Sequence, residues 1–152
     1  MREATGNALL TMMIVSIITI ILVFFVGSLS YSKSYKIKNY IVNEIEENGG
    51  WDANLQEKVD SYMKDIGYNV RKNDYNCNKV KNINTEMCTY INNQSNYDYC
   101  IYLCNNTDNN IKNIMNKYYK VVTFMKFEFP VIGDWIKFEV KGETNIFNDF
   151  NH

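Results

Sequence analysis

Residues Ala8 to Leu29 carry no charged side chain, and this run of 22 residues limits the fold more than any other feature of the chain. It is interrupted only by Thr11, Ser16, Thr19, Gly27 and Ser28. A helix of that length spans about 33 Å, enough to cross a hydrocarbon core of about 30 Å. Inside such a core an isolated span must be helical, because its backbone groups have no other hydrogen-bond partners. The sequence therefore predicts a transmembrane helix over residues 8–30.

Three other interpretations of this apolar segment (residues 8–29) stay open. A buried helix in a soluble protein would need a larger surrounding core than the rest of a 152-residue chain offers. A cleaved secretory signal normally has a shorter apolar region, although Ser28-Leu29-Ser30 fits a small-residue cleavage site. A plain single-span anchor is the third alternative.

The charged residues are concentrated after the apolar segment. Of the 33 charged residues, which comprise 16 Lys+Arg and 17 Asp+Glu, only Arg2 and Glu3 precede Lys33. The formal net charge of −1 shows no basic excess of the kind that nucleic-acid binders carry, so no nucleic-acid partner is expected. The polar remainder has the length of one domain, which is predicted over residues 51–152 and is called the head below.

Hydrophobic residues at helical spacing continue beyond the apolar segment. Ile37, Ile41 and Ile45 recur every four residues, and Tyr31 and Tyr35 repeat the same spacing just before them. No Pro or Gly occurs until Gly49 and Gly50, which supply a helix stop. This pattern predicts one continuous helix from Ala8 to Asn48, in which residues 31–50 are an amphipathic continuation that packs on the head.

The head is predicted to be a small α+β domain. A second helix is expected over residues 51–66, with Asp52 as its N-cap, Gly67 at its end, and an apolar face formed by Leu55, Val59, Tyr62, Met63 and Ile66. Strands are expected at residues 86–91, 97–103, 118–129 and 135–140. The last two are predicted to form an antiparallel hairpin that turns at Pro130 and Gly133-Asp134. The predicted fold class is thus α+β, with a long transmembrane helix, a short helix and an antiparallel sheet.

All four cysteines lie in the head, at Cys77, Cys88, Cys100 and Cys104. An even number in a small domain beyond a membrane helix indicates disulfides formed in an oxidising compartment. Cys100 and Cys104 would be about 13 Å apart on one strand, too far to bond. Cys88 and Cys100 are symmetric about Gln94, the centre of the proposed turn, so the expected pairs are Cys88–Cys100 and Cys77–Cys104. Free thiols and a zinc site are the alternatives, but the sequence lacks the Cys-x-x-Cys pair that is typical of zinc sites.

The sequence offers no catalytic constellation, and neither an enzyme activity nor a cofactor is expected. The only histidine is the last residue, His152, and no Gly-rich phosphate loop is present. The carboxylates of Asp134, Glu139 and Glu143 are expected on a turn and on solvent-facing strand positions. A row of tyrosines is interpreted as sheet packing rather than as a carbohydrate or partner surface: Tyr90, Tyr97, Tyr99 and Tyr102.

Two stretches carry a family resemblance. One is the start, Met1-Arg2-Glu3-Ala4-Thr5-Gly6-Asn7-Ala8-Leu9-Leu10-Thr11; the other is Phe127-Glu128-Phe129-Pro130-Val131-Ile132-Gly133, followed by Val140-Lys141-Gly142-Glu143-Thr144. Together with the architecture, the chain resembles type IV pilin-like proteins, and the second stretch is similar to small TadE-like pseudopilins of Gram-positive bacteria. The resemblance implies a minor pilin or pseudopilin that assembles with other pilin-like subunits through its N-terminal helix.

The resemblance also implies processing. In this family a prepilin peptidase cuts after a glycine just before the apolar run. Residues 1–7 are the predicted N-terminal leader region. The matching residue within it is Gly6, so cleavage would remove residues 1–6 and make Asn7 the new N-terminus. The fifth mature position, usually Glu in the family, is Thr11 here. This departure favours a minor or initiating subunit over the major one.

The family topology places the N-terminus in the cytoplasm and the head outside the cell membrane. The cysteines agree with it, whereas Lys33, Lys36 and Lys38 would favour a cytoplasmic head by the positive-inside tendency. The cysteines are given more weight, because long domains translocate largely regardless of nearby charge. The alternative function is a single-pass, membrane-anchored extracytoplasmic binding or interaction module that does not polymerise.

Overall fold

The computed structural model describes residues 2–68, 77, 80, 83, 87–91, 95–106, 116–126 and 137–148. These residues form two helices, α1 (Arg2–Asn48) and α2 (Ala53–Asp65). They also form the strands β1 (Cys88–Tyr90), β2 (Tyr99–Asn106), β3 (Asn116–Lys126), β4 (Lys137–Glu143) and β5 (Phe147–Asn148). The predicted α+β layout of a long apolar helix, a short helix and an antiparallel sheet is therefore confirmed.

Helix α1 is continuous from the N-terminal residues into the head. It begins at Arg2, six residues before the predicted start at Ala8, since no Pro precedes that point and Gly6 alone costs only about 1 kcal/mol relative to Ala. It ends at Asn48, as predicted. Gly49 has a φ of 72°, which only glycine adopts freely, and the Gly50 N–H closes the last turn on the Ile45 carbonyl at 3.0 Å.

The second helix follows its sequence signals closely. The Asp52 carboxylate accepts a hydrogen bond from the Leu55 N–H at 2.7 Å, so Asp52 is the N-cap that the sequence predicts. Leu55, Val59 and Met63 are buried. Gly67, with a φ of 61°, ends the helix.

The strands lie in the order β1-β2-β3-β4, and every neighbouring pair is antiparallel. Strand β5 pairs with the start of β3 and thus continues the line of β4 along the same edge. The antiparallel pairing of the last two predicted strands is confirmed. The residues predicted to turn between them (Pro130, Gly133 and Asp134) lie outside the described residues, as do Phe127, Phe129 and Trp135.

The sheet is covered on both faces. Its inner face packs on both helices in one core cluster, with Ile37, Ile41, Ile45, Leu55, Val59, Met63, Tyr68, Tyr99, Ile101 and Val121. Its outer face forms a second cluster, with Cys77, Cys88, Cys100, Tyr102, Cys104, Val122 and Phe124. Because β2 is buried on both sides, its apolar residues run consecutively instead of alternating with polar ones.

The buried line of α1 differs from the predicted one at its lower end. Ser34 is 2% exposed and continues the line of Ile37, whereas Tyr31 and Tyr35 are 53% and 45% exposed. The expectation that the two tyrosines extend the buried stripe was therefore wrong. Each step of four residues advances about 40° around a helix, so a line of such steps must include a step of three to stay on one face.

Candidate functional site

The apolar segment of α1 is an exposed hydrophobic surface. Within the described residues one helix, Gly6–Asn48, is long and apolar enough to cross a membrane, and none of its most apolar window is buried. Exposed side chains point in all directions around it, among them Leu9, Met12, Met13, Ile17, Ile20, Ile21, Phe24 and Phe25. A helix that is apolar all round needs lipid or other apolar helices around it.

The two threonine hydroxyls of this segment are hydrogen-bonded within the helix. Thr11 Oγ1 donates to the Asn7 carbonyl and Thr19 Oγ1 donates to the Val15 carbonyl, each at 2.8 Å. A hydroxyl bonded to the carbonyl four residues earlier leaves no open donor toward the surroundings. The two threonines therefore do not prevent the segment from lying in lipid.

The predicted processing residues lie together on the first turns of α1. Gly6 and Asn7 are exposed, and no atom lies within 4 Å of a Cβ built on Gly6. The backbone carbonyl of Asn7 receives the Thr11 hydroxyl. The structure thus connects the three residues that the resemblance selects, Gly6, Asn7 and Thr11, on one exposed stretch of helix.

The second half of α1, residues 31–48, is called the stem, and polar contacts fix its lower end to the head. Ser34 Oγ donates to the Phe124 carbonyl at 3.3 Å, and Thr123 Oγ1 donates to the Ser34 carbonyl at 3.1 Å. Lys33 Nζ donates to the Gly67 carbonyl at 2.7 Å. These bonds lock the helix against both β3 and the end of α2.

Acidic side chains fix the upper end of the stem. Glu46 Oε1 accepts from the Asn145 N–H at 2.7 Å. Glu44 Oε2 accepts from Lys58 Nζ of α2 at 2.6 Å, and this hydrogen bond raises the pKa of Lys58. Acids near a helix C-terminus oppose the helix dipole. Here they are explained by the contacts that they make to α2 and to the sheet.

All four cysteines are in disulfides, but the predicted pairing was wrong. The bonds join Cys77 to Cys100 and Cys88 to Cys104. The register of β1 and β2 places Cys88 directly opposite Cys104, so the hairpin is centred on residue 96 and not on Gln94. Cys100 is then left to bond Cys77. The expectation that Cys100 and Cys104 do not bond each other is confirmed.

Both disulfides attach the chain before β2 to the outer face of β2. Tyr102 lies between the two bonded cysteines of that strand, and its hydroxyl donates to the Cys77 carbonyl. Burial, followed by the neighbouring Tyr90 and Glu139, raises the pKa of Tyr102 well above its usual value. Tyr102 and Tyr99 are both buried, as expected for tyrosines that pack in the sheet.

An open groove of about 490 Å³ lies at the end of the head farthest from the apolar segment. It is lined by Trp51, Asp52, Ala53, Gln56, Ile91, Leu103 and Tyr119. Two aromatic rings, a carboxylate and an amide are the groups that bind small polar ligands with an apolar face. Sequence reasoning missed this groove, because its lining comes from four separate stretches of the chain.

Two of the three carboxylates considered in the sequence analysis, Glu139 and Glu143, take part in surface ion pairs. Glu139 pairs with Lys141 at 2.9 Å and Glu143 with Lys120 at 3.0 Å, all on partly exposed side chains. Asp134 and His152 lie outside the described residues. Among the residues that are described, no group of three or more His, Cys, Asp or Glu could hold a metal ion.

Comparison with known proteins finds no matching family model, no matching curated protein and no matching solved structure.

Proposed function

We propose that this chain is a structural subunit, a minor pilin or pseudopilin of a surface pilus or secretion pseudopilus, that assembles through α1. One observation carries the proposal. A single helix is exposed and apolar along its first half, and along its second half it supplies the fully buried Ile37, Ile41 and Ile45 of the head's main core.

This arrangement suits assembly by helix packing. In a membrane, lipid covers the apolar segment. Outside a membrane only similar helices can cover it, because exposure of this apolar surface to water is unfavourable. The contacts of the stem hold the head at a fixed position on the helix, so the packing of the helices also sets the arrangement of the heads. Subunits added with a rotation that does not close form a helical fibre.

The orientation proposed is an N-terminus in the cytoplasm and a head outside the cell membrane. The two disulfides support it, since such bonds form and persist in oxidising compartments. The membrane and other pilin-like subunits are the partners in this proposal, and a prepilin peptidase acts on the start of the chain.

Cleavage is proposed after Gly6, which makes Asn7 the mature N-terminus. Thr11 then stands about one turn from the new α-amine and carries no charge. Its hydroxyl proton is already donated to the Asn7 carbonyl. A subunit that brings no carboxylate at this point suits a minor or initiating position better than the repeating body of a filament.

The mature N-terminus tests the proposal. Mass spectrometry of the chain from membranes and from sheared surface material should find a chain that begins at Asn7. Gly6→Val should retain Met1 and lose filament association, because the bulkier residue blocks cleavage, while Thr5→Ala should be processed normally. An intact Met1 in the unmodified chain, without association with filaments, would contradict the proposal.

The groove beside Trp51 favours a second candidate, a membrane-anchored binding module that does not polymerise. Its test is a change in tryptophan fluorescence with a panel of soluble oligosaccharides and short peptides. Gln56→Ala, within the groove, should abolish the response, whereas the neighbouring exposed Glu57→Ala should not. If the chain is such a module, the fluorescence should change and the N-terminus should be unprocessed. A fluorescence that changes with none of the compounds would count against this second candidate.

A further inference from the structure

We propose that Tyr31 of α1 and Phe138 of β4, which lie at the end of the described head nearest the apolar segment, are placed in the phospholipid headgroup layer on the head's side of the membrane. The head would then be seated on the bilayer instead of being held above it by the stem. This inference rests on the membrane span of α1 within the proposed function, and it does not depend on filament assembly.

The contacts between β4 and α1 fix the height of the strand. Thr123 Oγ1 lies 3.1 Å from the Ser34 carbonyl and 3.4 Å from the Val140 carbonyl, so Val140 is level with Ser34. Farther along, a Cβ added to Gly142 would meet Lys38 Cδ, so Gly142 is level with Lys38. Strand β4 therefore runs beside α1 in the same direction.

These two points place Phe138 at the end of the apolar segment. Phe138 precedes Val140 by two strand residues, about 7 Å along β4. Ser30 precedes Ser34 by four helical residues, about 6 Å along α1. Phe138 is thus level with Ser30, which directly follows the last residue of the apolar segment, Leu29. A membrane that covers the segment has its boundary at the height of Phe138 and Tyr31.

The side chains at this height suit a lipid interface. Phe138 is 52% exposed and Tyr31 is 53% exposed, and Tyr31 stacks on Tyr35 one turn above, with ring centroids 6.1 Å apart. By contrast, Phe124 on the neighbouring strand is buried. Aromatic side chains at the ends of a membrane span favour the headgroup layer, where an apolar ring and a polar end are both accommodated.

Spin labels on the full chain in phosphatidylcholine–phosphatidylglycerol vesicles test the inference. Single cysteines are introduced by Phe138→Cys, Ile146→Cys and Ile20→Cys, and are labelled without reductant so that both disulfides stay intact. Ile146 is the matched control, because it is a 51% exposed hydrophobic residue beside Asn145, at the Glu46 end of the stem. Accessibility to oxygen, which partitions into lipid, is compared with accessibility to a water-soluble nickel complex.

The label at position 138 should show an oxygen-to-nickel ratio several times that at 146 and below that at 20. If the oxygen-to-nickel ratio at position 138 equals that at position 146 while the ratio at position 20 is typical of lipid, Phe138 does not lie in the headgroup layer. The membrane span of α1 and the filament proposal would then remain intact. An aqueous value at 20 would overturn the seat together with the span. Photoreactive benzoylphenylalanine at position 138 keeps a ring there and should form lipid adducts on irradiation; adducts with protein alone would contradict the placement of Phe138 in the headgroup layer.

Discussion

At the scale of single residues, one buried hydroxyl ties the end of α2 to the sheet. The Tyr68 hydroxyl donates to the Phe124 carbonyl at 2.8 Å and accepts from the Phe124 N–H at 3.1 Å. It also lies 3.0 Å from the Asp98 carbonyl. Tyr68 directly follows the left-handed Gly67, so the glycine turns the chain and the tyrosine fixes it at β3.

Tyr68→Phe should lower the free energy of unfolding of the full chain by about 1–3 kcal/mol. The substitution removes only the hydroxyl group and leaves the buried backbone groups of Phe124 without this hydrogen-bond partner. The measurement is denaturant unfolding in detergent micelles. Tyr35→Phe is the control and should change stability by less than about 0.5 kcal/mol, since its ring is partly exposed. Equal effects of the two substitutions would show that the Tyr68 hydroxyl contributes nothing.

The disulfide connectivity can be read by peptide mapping. Digestion of the unreduced, denatured chain with trypsin and chymotrypsin at slightly acidic pH should give one peptide pair that contains Cys77 and Cys100, and another that contains Cys88 and Cys104. Chymotrypsin is needed because no Lys or Arg separates the last three cysteines, while Tyr90, Tyr97 and Tyr102 do. A peptide that links Cys88 to Cys100 would contradict the structure.

The connectivity shows why some residue-level features are not predictable. A hairpin centred on residue 94 pairs Cys88 with Cys100, and one centred on residue 96 pairs it with Cys104. A shift of two residues in the centre of the turn therefore changes the partner of Cys88 by four residues, from Cys100 to Cys104. The sequence between the strands, Asn92-Asn93-Gln94-Ser95-Asn96, offers turn-forming residues at every position and does not select a centre.

At the scale of elements, α1 has two halves with different surroundings. Ile41, in the stem, is fully buried against the head, whereas Ile20, in the apolar segment, is exposed. Ile41→Ala should cost about 2–5 kcal/mol in unfolding free energy of the head, because it leaves a cavity in the main core.

Ile20→Ala is the matched control for Ile41→Ala, as it removes the same atoms from the same helix. It should leave the unfolding of the head unchanged in micelles, with near-ultraviolet circular dichroism as the probe. If Ile41→Ala were as mild as Ile20→Ala, the docking of the stem on the sheet would be wrong.

Elements with strong local signals were predictable from the sequence. The Gly49-Gly50 stop of α1 and the Asp52 cap of α2 depend on neighbouring residues only, and both are confirmed. The groove beside Trp51 was not predictable, because it exists only once α2, β1, β2 and β3 are assembled. The same holds for the exposed position of Phe138, which alternates in phase with the buried Val140.

At the scale of the whole molecule, the head's main core is completed by a helix that precedes it in the sequence. Ile37, Ile41 and Ile45 are fully buried there. A chain that begins at Tyr31 should therefore fold with both disulfides, while one that begins at Trp51 should not fold. Far-ultraviolet circular dichroism and amide dispersion in nuclear magnetic resonance distinguish the two, and a well-dispersed spectrum from the shorter chain would contradict this expectation.

The alignment of β4 with α1 has a mechanical consequence. Contacts from Ser34 to Glu46 are spread along the stem, and the strand lies beside it in the same direction. A force that pulls the head away along the axis of α1 loads these contacts in shear, all at the same time, instead of peeling them apart in turn. The head should therefore withstand a pull along the stem far better than a sideways pull on β1, a difference that single-molecule force spectroscopy can record. A chain built in this way can carry tension from its apolar segment to the far end of the head.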